Sequence, residues 1–257
     1  MNIIEKIIDT ELEYIKCFSN FYDEGYKIRF SDDLIPDMYS HNLTYLKQPI
    51  SVRNFSDVVE EEIRKAKENG INFLNLQFDF KIDELNDCIK HQNCEVTIYD
   101  YYQFQIEQLD KLNARHDCYI KKLTNEQVDK ALKFDIGVNG EDLGKSFIKR
   151  RFERRSKVYL SEGLVDSYLC YFDGNIIGHC DLFLNDNVAK IEDFDVAHEM
   201  QRKGFGTAIF KEMVRIARGH GADIIYLITD SDDTAKDMYK KCGMIKVGEK
   251  TELTFSF

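Results

Sequence analysis

Apolar positions along this chain recur with two periods, one helical and one alternating, and the switches between them mark its elements. Ile4, Ile7, Ile8, Leu12 and Ile15 fall at helical spacing, so residues 1–20 open the chain as an amphipathic helix. Residues 31–50 are turn-rich and then strand-like. Phe55 to Asn69 reads as a helix with Ser56 as its cap and Gly70 ending it. FLNLQFDF (73–80) alternates as a strand does, a helix follows near 83–92, and CEVTIYDYYQF (94–104) is a further strand. The pattern breaks into polar sequence around Leu109–Asp117, where a second unit begins. In it CYIKKLT (118–124) predicts a strand, and Thr124-x-x-Gln127 is a capping box that starts a helix. Residues 141–160 form a second helix. The strands VDSYLCYF (165–172) and IIGHCDLFL (176–184) are joined by Asp173-Gly174-Asn175, a strong hairpin signal. AKIEDFDV (189–196) is a strand, 204–220 a helix with Ile209, Met213, Ile216 and Ala217 on one face, and DIIYLIT (223–229) a buried strand. DDTAKDMYKKCG (232–243) is a short helix ended by Gly243, and the tail offers one or two closing strands.

The composition, with 43% hydrophobic and 32% charged residues over 257 positions, places the chain among globular proteins of one large or two modest domains. No apolar run approaches the roughly 18 residues of a membrane helix, and the charged N-terminus has no secretory signal pattern. Seven scattered cysteines without a Cys-x-x-Cys pair favour reduced thiols in the cytoplasm, with no metal site. The net charge of −11 is uneven: residues 1–115 hold 13 Lys+Arg against 22 Asp+Glu, a net of −9. So acidic a half excludes a nucleic-acid backbone as main partner; ordinary solubility accounts for it first.

The candidate chemistry lies in IEDFDVAHEMQRKGFGTAIF (191–210). A strand ends at Val196, and Gln201-Arg202-Lys203-Gly204-Phe205-Gly206-Thr207 opens a helix. The first amides of a helix have no intrahelical partner and carry partial positive charge. Glycines at 204 and 206 let the backbone approach an anion, and Arg202 and Lys203 add charge beside it. Without a third glycine or a Gly-Lys-Ser/Thr, this is neither a dinucleotide fingerprint nor a P-loop.

The Gln-x-x-Gly-x-Gly run after a strand ending in Val resembles the acetyl-CoA loop of the GNAT superfamily of N-acyltransferases. The element order from Cys118 to Phe257 is similar to that of the whole superfamily domain, and Asp232-Asp233-Thr234-Ala235-x-x-x-Tyr239-x-x-x-Gly243-Met244 resembles its Asn-x-x-Ala-x-x-x-Tyr-x-x-x-Gly-Phe signature. Asp232 departs from the usual Asn and Met244 from the usual Phe. The resemblance implies an α/β fold with a mixed, mostly antiparallel sheet flanked by helices over 116–257. An N-terminal α/β domain over 1–115 precedes it, either a degenerate second copy, the preferred expectation, or an unrelated module.

It also implies roles. Acetyl-CoA is the cosubstrate, and its acetyl group passes to a primary amine by direct attack. Phe194 and Val196 lie along the pantetheine arm, residues 201–207 hold the pyrophosphate, and Asp232 stands where the signature meets the cofactor arm. Tyr239 is the acid for the departing thiolate. Glu192 is the candidate base: by strand alternation it shares a partly buried face with Phe194 and Val196, with Asp193 and Asp195 opposite. His179 is the runner-up. The basic run RRFERR (150–155) reads as a solvated helix face. The acceptor is a small-molecule amine or a protein or peptide lysine, and a homodimer is an allowed assembly. Tyr39, His41 and Tyr45 suit either a plain core or a pocket for a cationic acceptor. The rival function is a CoA-binding sensor or scaffold.

Overall fold

The computed structural model describes residues 2–82, 85, 89 and 93–257, and they divide into two compact units. The helix expected near 83–92 lies, but for Leu85 and Ile89, outside the described residues.

The first unit comprises residues 1–17, 102–228 and 234–247. Its helices are α1 (Ile3–Lys16), α3 (Val128–Asn139), α4 (Lys145–Tyr159), α5 (Phe205–Gly219) and α6 (Lys236–Lys241). Its sheet runs β10 (Ile224–Asp230), β9 (Val188–Val196), β8 (Asn175–Asn185), β7 (Val165–Phe172), β6 (Tyr119–Lys122). Only the β10–β9 pairing in this run is parallel. The expected mixed, mostly antiparallel sheet with flanking helices is therefore present. Asp173 and Gly174 both take positive φ, the geometry of the two-residue turn their identities predict between β7 and β8. Thr124 and Gln127 form the capping box, with a 3₁₀ turn at 125–127 leading into α3. The apolar stripe of α5 is real: Ile209, Met213 and Ala217 are buried with Leu182, Ile191 and Ile225 in one core. Helix α1 packs on β8 and β9, its amino end closed by a capping box between Asn2 and Glu5.

The second unit comprises residues 18–101, 229–233 and 248–257. Its strands are β1 (Asn20–Asp23), β2 (Lys27–Ser31), β3 (Thr44–Leu46), β4 (Phe73–Phe78), then the greater parts of β11 (Met244–Ser256) and β5 (Cys94–Phe104), in that spatial order; residues 244–247 and 102–104 of these two count with the first unit. Helix α2 (Val52–Glu68) covers β4. Its cap is Ser51, not Ser56: the Ser51 hydroxyl accepts from the Asn54 amide, one turn earlier than the apolar pattern places it. Of Tyr39, His41 and Tyr45, the last two are buried and bonded within the fold, while Tyr39 is exposed. His41 is buried, stacked on Phe18 and bonded to Asp32 at 3.0 Å, while the Tyr45 hydroxyl donates to Asp79. Lys27, fully buried, is held by Glu62 at 2.8 Å, and Glu62 also takes Arg29, so this ion cluster is internally satisfied.

Candidate active site

Strand β9 is two things in succession. Ile224, Ile225 and Tyr226 of β10 pair with Val188, Ala189 and Lys190, and there the pairing stops, while β9 runs on to Val196. Past Lys190 the two parallel strands part, leaving the β9 edge free over 191–196. The next segment turns back into α5. Arg202 sits at φ 57 and Gly204 at φ 87, a tight left-handed turn that only Gly204 takes without cost. Gly204 caps α5 with no side-chain hydrogen bond, so the first amides of the helix carry their partial charge outward.

The predicted loop residues fall on this turn, and their side chains do different things. Gln201, Arg202, Lys203 and Gly204 are exposed. The Gln201 side chain donates to the Val196 carbonyl at 3.1 Å and so ties the strand end to the turn. Phe205 is buried beneath the Arg115 guanidinium, 4.2 Å from ring centroid to cation, so only its amide is offered outward. A Cβ at Gly206 would meet the Met238 sulfur at 2.9 Å, which makes this glycine a contact point with α6 as well as an open amide. Thr207 hydrogen-bonds Cys242 beneath the turn. Phe194 and Val196 are half-buried against the core. Arg115 escaped the sequence reading. Its Nη1 donates to the Lys203 carbonyl at 3.0 Å while its other nitrogens hold Asp117, so it braces the turn from outside.

Comparison with known proteins agrees with this geometry. Residues 141–244 match the model of the acetyltransferase (GNAT) family. These residues form a GNAT-family domain. A stretch of 104 residues is 31% identical to the uncharacterized N-acetyltransferase CgeE of Bacillus subtilis (strain 168), covering 38% of this chain and 40% of that protein. The chain thus matches less than half the length of this relative. Among solved structures, a functionally unknown conserved protein from Staphylococcus epidermidis ATCC 12228 superposes with a TM-score of 0.81 at 20% identity, over 95% of this chain and 97% of that one. A GCN5-related N-acetyltransferase from Kribbella flavida gives 0.74 at 13% identity, over 99% and 96%. At these identities the likeness is one of fold.

The face assignment made from strand alternation is overturned in the GNAT domain. His179 pairs with Asp195 and Asp181 with Glu192, so two residues of β9, Asp193 and Phe194, stand against Cys180 alone. Asp193 takes φ 50 to absorb the extra residue. This is a β-bulge, and it reverses the alternation beyond it. Glu192, Asp193 and Asp195 all lie on the face carrying α1 and α4, while Phe194 and Val196 turn to the opposite core. Glu192, half-buried, is ion-paired with Lys190 at 3.0 Å, and Lys190 also meets Glu11 of α1 at 2.8 Å.

The solvated face expected for 150–155 is likewise corrected. Arg150 is exposed, but Arg151 and Arg155 are buried beside Ile148, Phe152 and Tyr159. Arg155 donates to Asp181 at 2.8 Å and reaches Asp193 at 3.2 Å; Arg151 donates to Asp135 at 2.7 Å. The Tyr14 hydroxyl of α1 accepts from Arg155, and Tyr159 donates to Asp181. Burial opposes the charge of Asp193, yet Arg155, Arg151 and His179 hold its carboxyl well below the usual range. Burial pushes the enclosed Asp181 up to about 6. Burial also works against the His179 imidazolium, but Asp193 at 3.1 Å, with Asp195 and Asp181 beyond, raises it to about 9. The signal for this network was present: Arg151 and Arg155 share the helical phase of Ile148 and Tyr159, which is the apolar face of α4.

His179, Asp193 and Asp195 bring three donor atoms within 4.8 Å of one another. A metal ion there would compete with Arg155 and His179 for Asp193, whose carboxylate they already neutralise. Tyr239 is buried on α6 within the core of the unit. That helix begins at Lys236, later than expected, because Asp230 accepts the Asp232 amide and holds the preceding residues in a turn. Asp232 belongs to the second unit.

Proposed function

We propose that the chain is an acetyl-CoA-dependent N-acetyltransferase acting on a primary amine, carried by a small molecule or by a protein or peptide lysine. The observation that carries this reading is the parting of β9 from β10 beyond Lys190, followed by the uncapped amino end of α5. A freed strand edge offers amides and carbonyls to an extended amide-bearing arm, as an added strand would. A helix amino end flanked by Arg202 and Lys203 suits a pyrophosphate. Together they take the pantetheine arm and the pyrophosphate of coenzyme A. Tyr239, in this reading, protonates the departing thiolate.

Calorimetry of coenzyme A with the full chain tests the donor half. Gly204→Val and Gly206→Val each place a branched side chain over the amides, and each is expected to weaken binding at least about tenfold in protein that still melts cooperatively. Wild-type affinity in both variants would refute the placement. The transferase half is tested by thiol release from acetyl-CoA against polyamines, aminoglycosides, amino acids and lysine peptides. Binding without release by any acceptor would refute it and leave a CoA sensor.

A further inference from the structure

The bulge in β9 gathers more than a structural ion network. Asp193 is neutralised by Arg151, Arg155 and His179. Asp195, two residues on and still within the stretch of β9 freed from β10, has only His179 near it as a cation among the described residues. Its Oδ2 accepts from the Asn139 side chain at 2.9 Å and lies 3.8 Å from His179 Nδ1. No described residue donates to its Oδ1, and the side chain is 28% exposed. His179 is only 8% exposed, and its Nδ1 has no hydrogen-bond partner among the described residues although it is aimed at this carboxylate. The Phe134 ring stands edge-on to the imidazole at 5.9 Å. A carboxylate with one anchored and one open oxygen, at the end of the freed strand, has the chemistry to receive an organic cation.

We propose that Asp195 receives the acceptor's ammonium group and is the proton acceptor of the transfer, with His179 and Asn139 as its positioning residues. The inference rests on the acetyltransferase reading. Of the two protons the nitrogen must lose, one leaves to water as the ammonium gives up its hydration. The free amine then attacks the thioester carbon. The new C–N bond makes the second N–H acidic, and that proton goes to Asp195. The C–S bond breaks with its electron pair on sulfur, Tyr239 protonates the thiolate, and the proton on Asp195 passes through water to the Tyr239 phenolate, which resets the carboxylate. One proton is released per turnover. His179 holds its own protons and serves as a fixed cation that orients Asp195.

The experiment uses full-length protein with ¹⁵N-labelled histidine and 1-propylamine as probe. The His179 ring resonances are identified by their loss in His179→Gln. Propylamine at millimolar concentration is expected to shift them in the wild type and not in Asp195→Asn. With acetyl-CoA and propylamine, kcat/KM is expected to fall at least about tenfold in Asp195→Asn, with coenzyme A affinity unchanged and the loss larger than in Glu192→Gln. Asp195→Glu, which keeps the charge, is expected to recover part of it. A shift that persists in Asp195→Asn, the absence of any shift in the wild type, or a larger loss in Glu192→Gln would overturn the assignment. If coenzyme A fails to bind the wild type, the acetyltransferase reading falls, and the ring resonances alone still decide whether Asp195 receives an amine.

Discussion

His179 makes the stability of the first unit depend on pH in a window that can be worked out from its surroundings. The imidazole is almost fully enclosed, with Asp193 at 3.1 Å, and its folded value of about 9 stands above the 6.5 of a free side chain. A group whose folded value is raised stabilises the protein fully below its unfolded value and loses that contribution as pH rises through the folded one. The window therefore opens near pH 6.5 and closes above pH 9. At about 1.4 kcal/mol for each pH unit between the two values, the loss is roughly 3 kcal/mol. Asp181, raised to about 6, also loses its contribution with rising pH, but its window closes before that of His179 opens. Urea unfolding followed by far-ultraviolet circular dichroism, at intervals from pH 6 to pH 9.5, measures the effect in wild type and in His179→Gln. The variant starts lower, because Asp193 loses a partner, and is expected to decline less across the window. Parallel pH profiles for the two proteins would refute the argument, since groups shared by both would then account for the slope.

Two further outcomes follow from the same geometry. Arg155→Met keeps the bulk of the side chain but leaves Asp181 and Asp193 buried without their main cation; a loss of about 3–5 kcal/mol at neutral pH is expected, read by denaturant unfolding and smaller at pH 5, where Asp181 is protonated. Tyr239→Phe is expected to preserve coenzyme A affinity while slowing acetyl transfer with the natural thioester and sparing an activated one; equal wild-type and variant rates with acetyl-CoA would make this tyrosine a packing residue.

Much of the first unit was readable because its elements announce themselves locally. The hairpin between β7 and β8 needs two positive φ angles and has Asp-Gly there; α5 has an unbroken apolar stripe; α3 has its capping box. The turn into α5 was readable for the same reason, since Gly204 occupies a left-handed conformation that few other residues take. What escaped depends on tertiary placement. Nothing in MNIIEKIIDTELEYIK says that Glu11 and Tyr14 reach Lys190 and Arg155, because an amphipathic helix records that it is buried and not against what.

The bulge is the instructive case. Alternation along IEDFDV is correct up to Glu192, and one extra residue then inverts every face beyond it, so the sequence identified an acidic strand and put its acids on the wrong side. The clue was chemical: aspartate is among the few residues besides glycine that enter left-handed φ readily, and Asp173, Asp186 and Asp193 all do so. In β9 it is the aspartate at 193 that takes this conformation, and there the alternation is broken. The consequence for chemistry is direct. Without the slip, Asp193 and Asp195 would face away from Glu192. With it, Glu192 is drawn to Lys190, Asp193 is held under two guanidinium groups, and Asp195 keeps an oxygen open at the end of the strand.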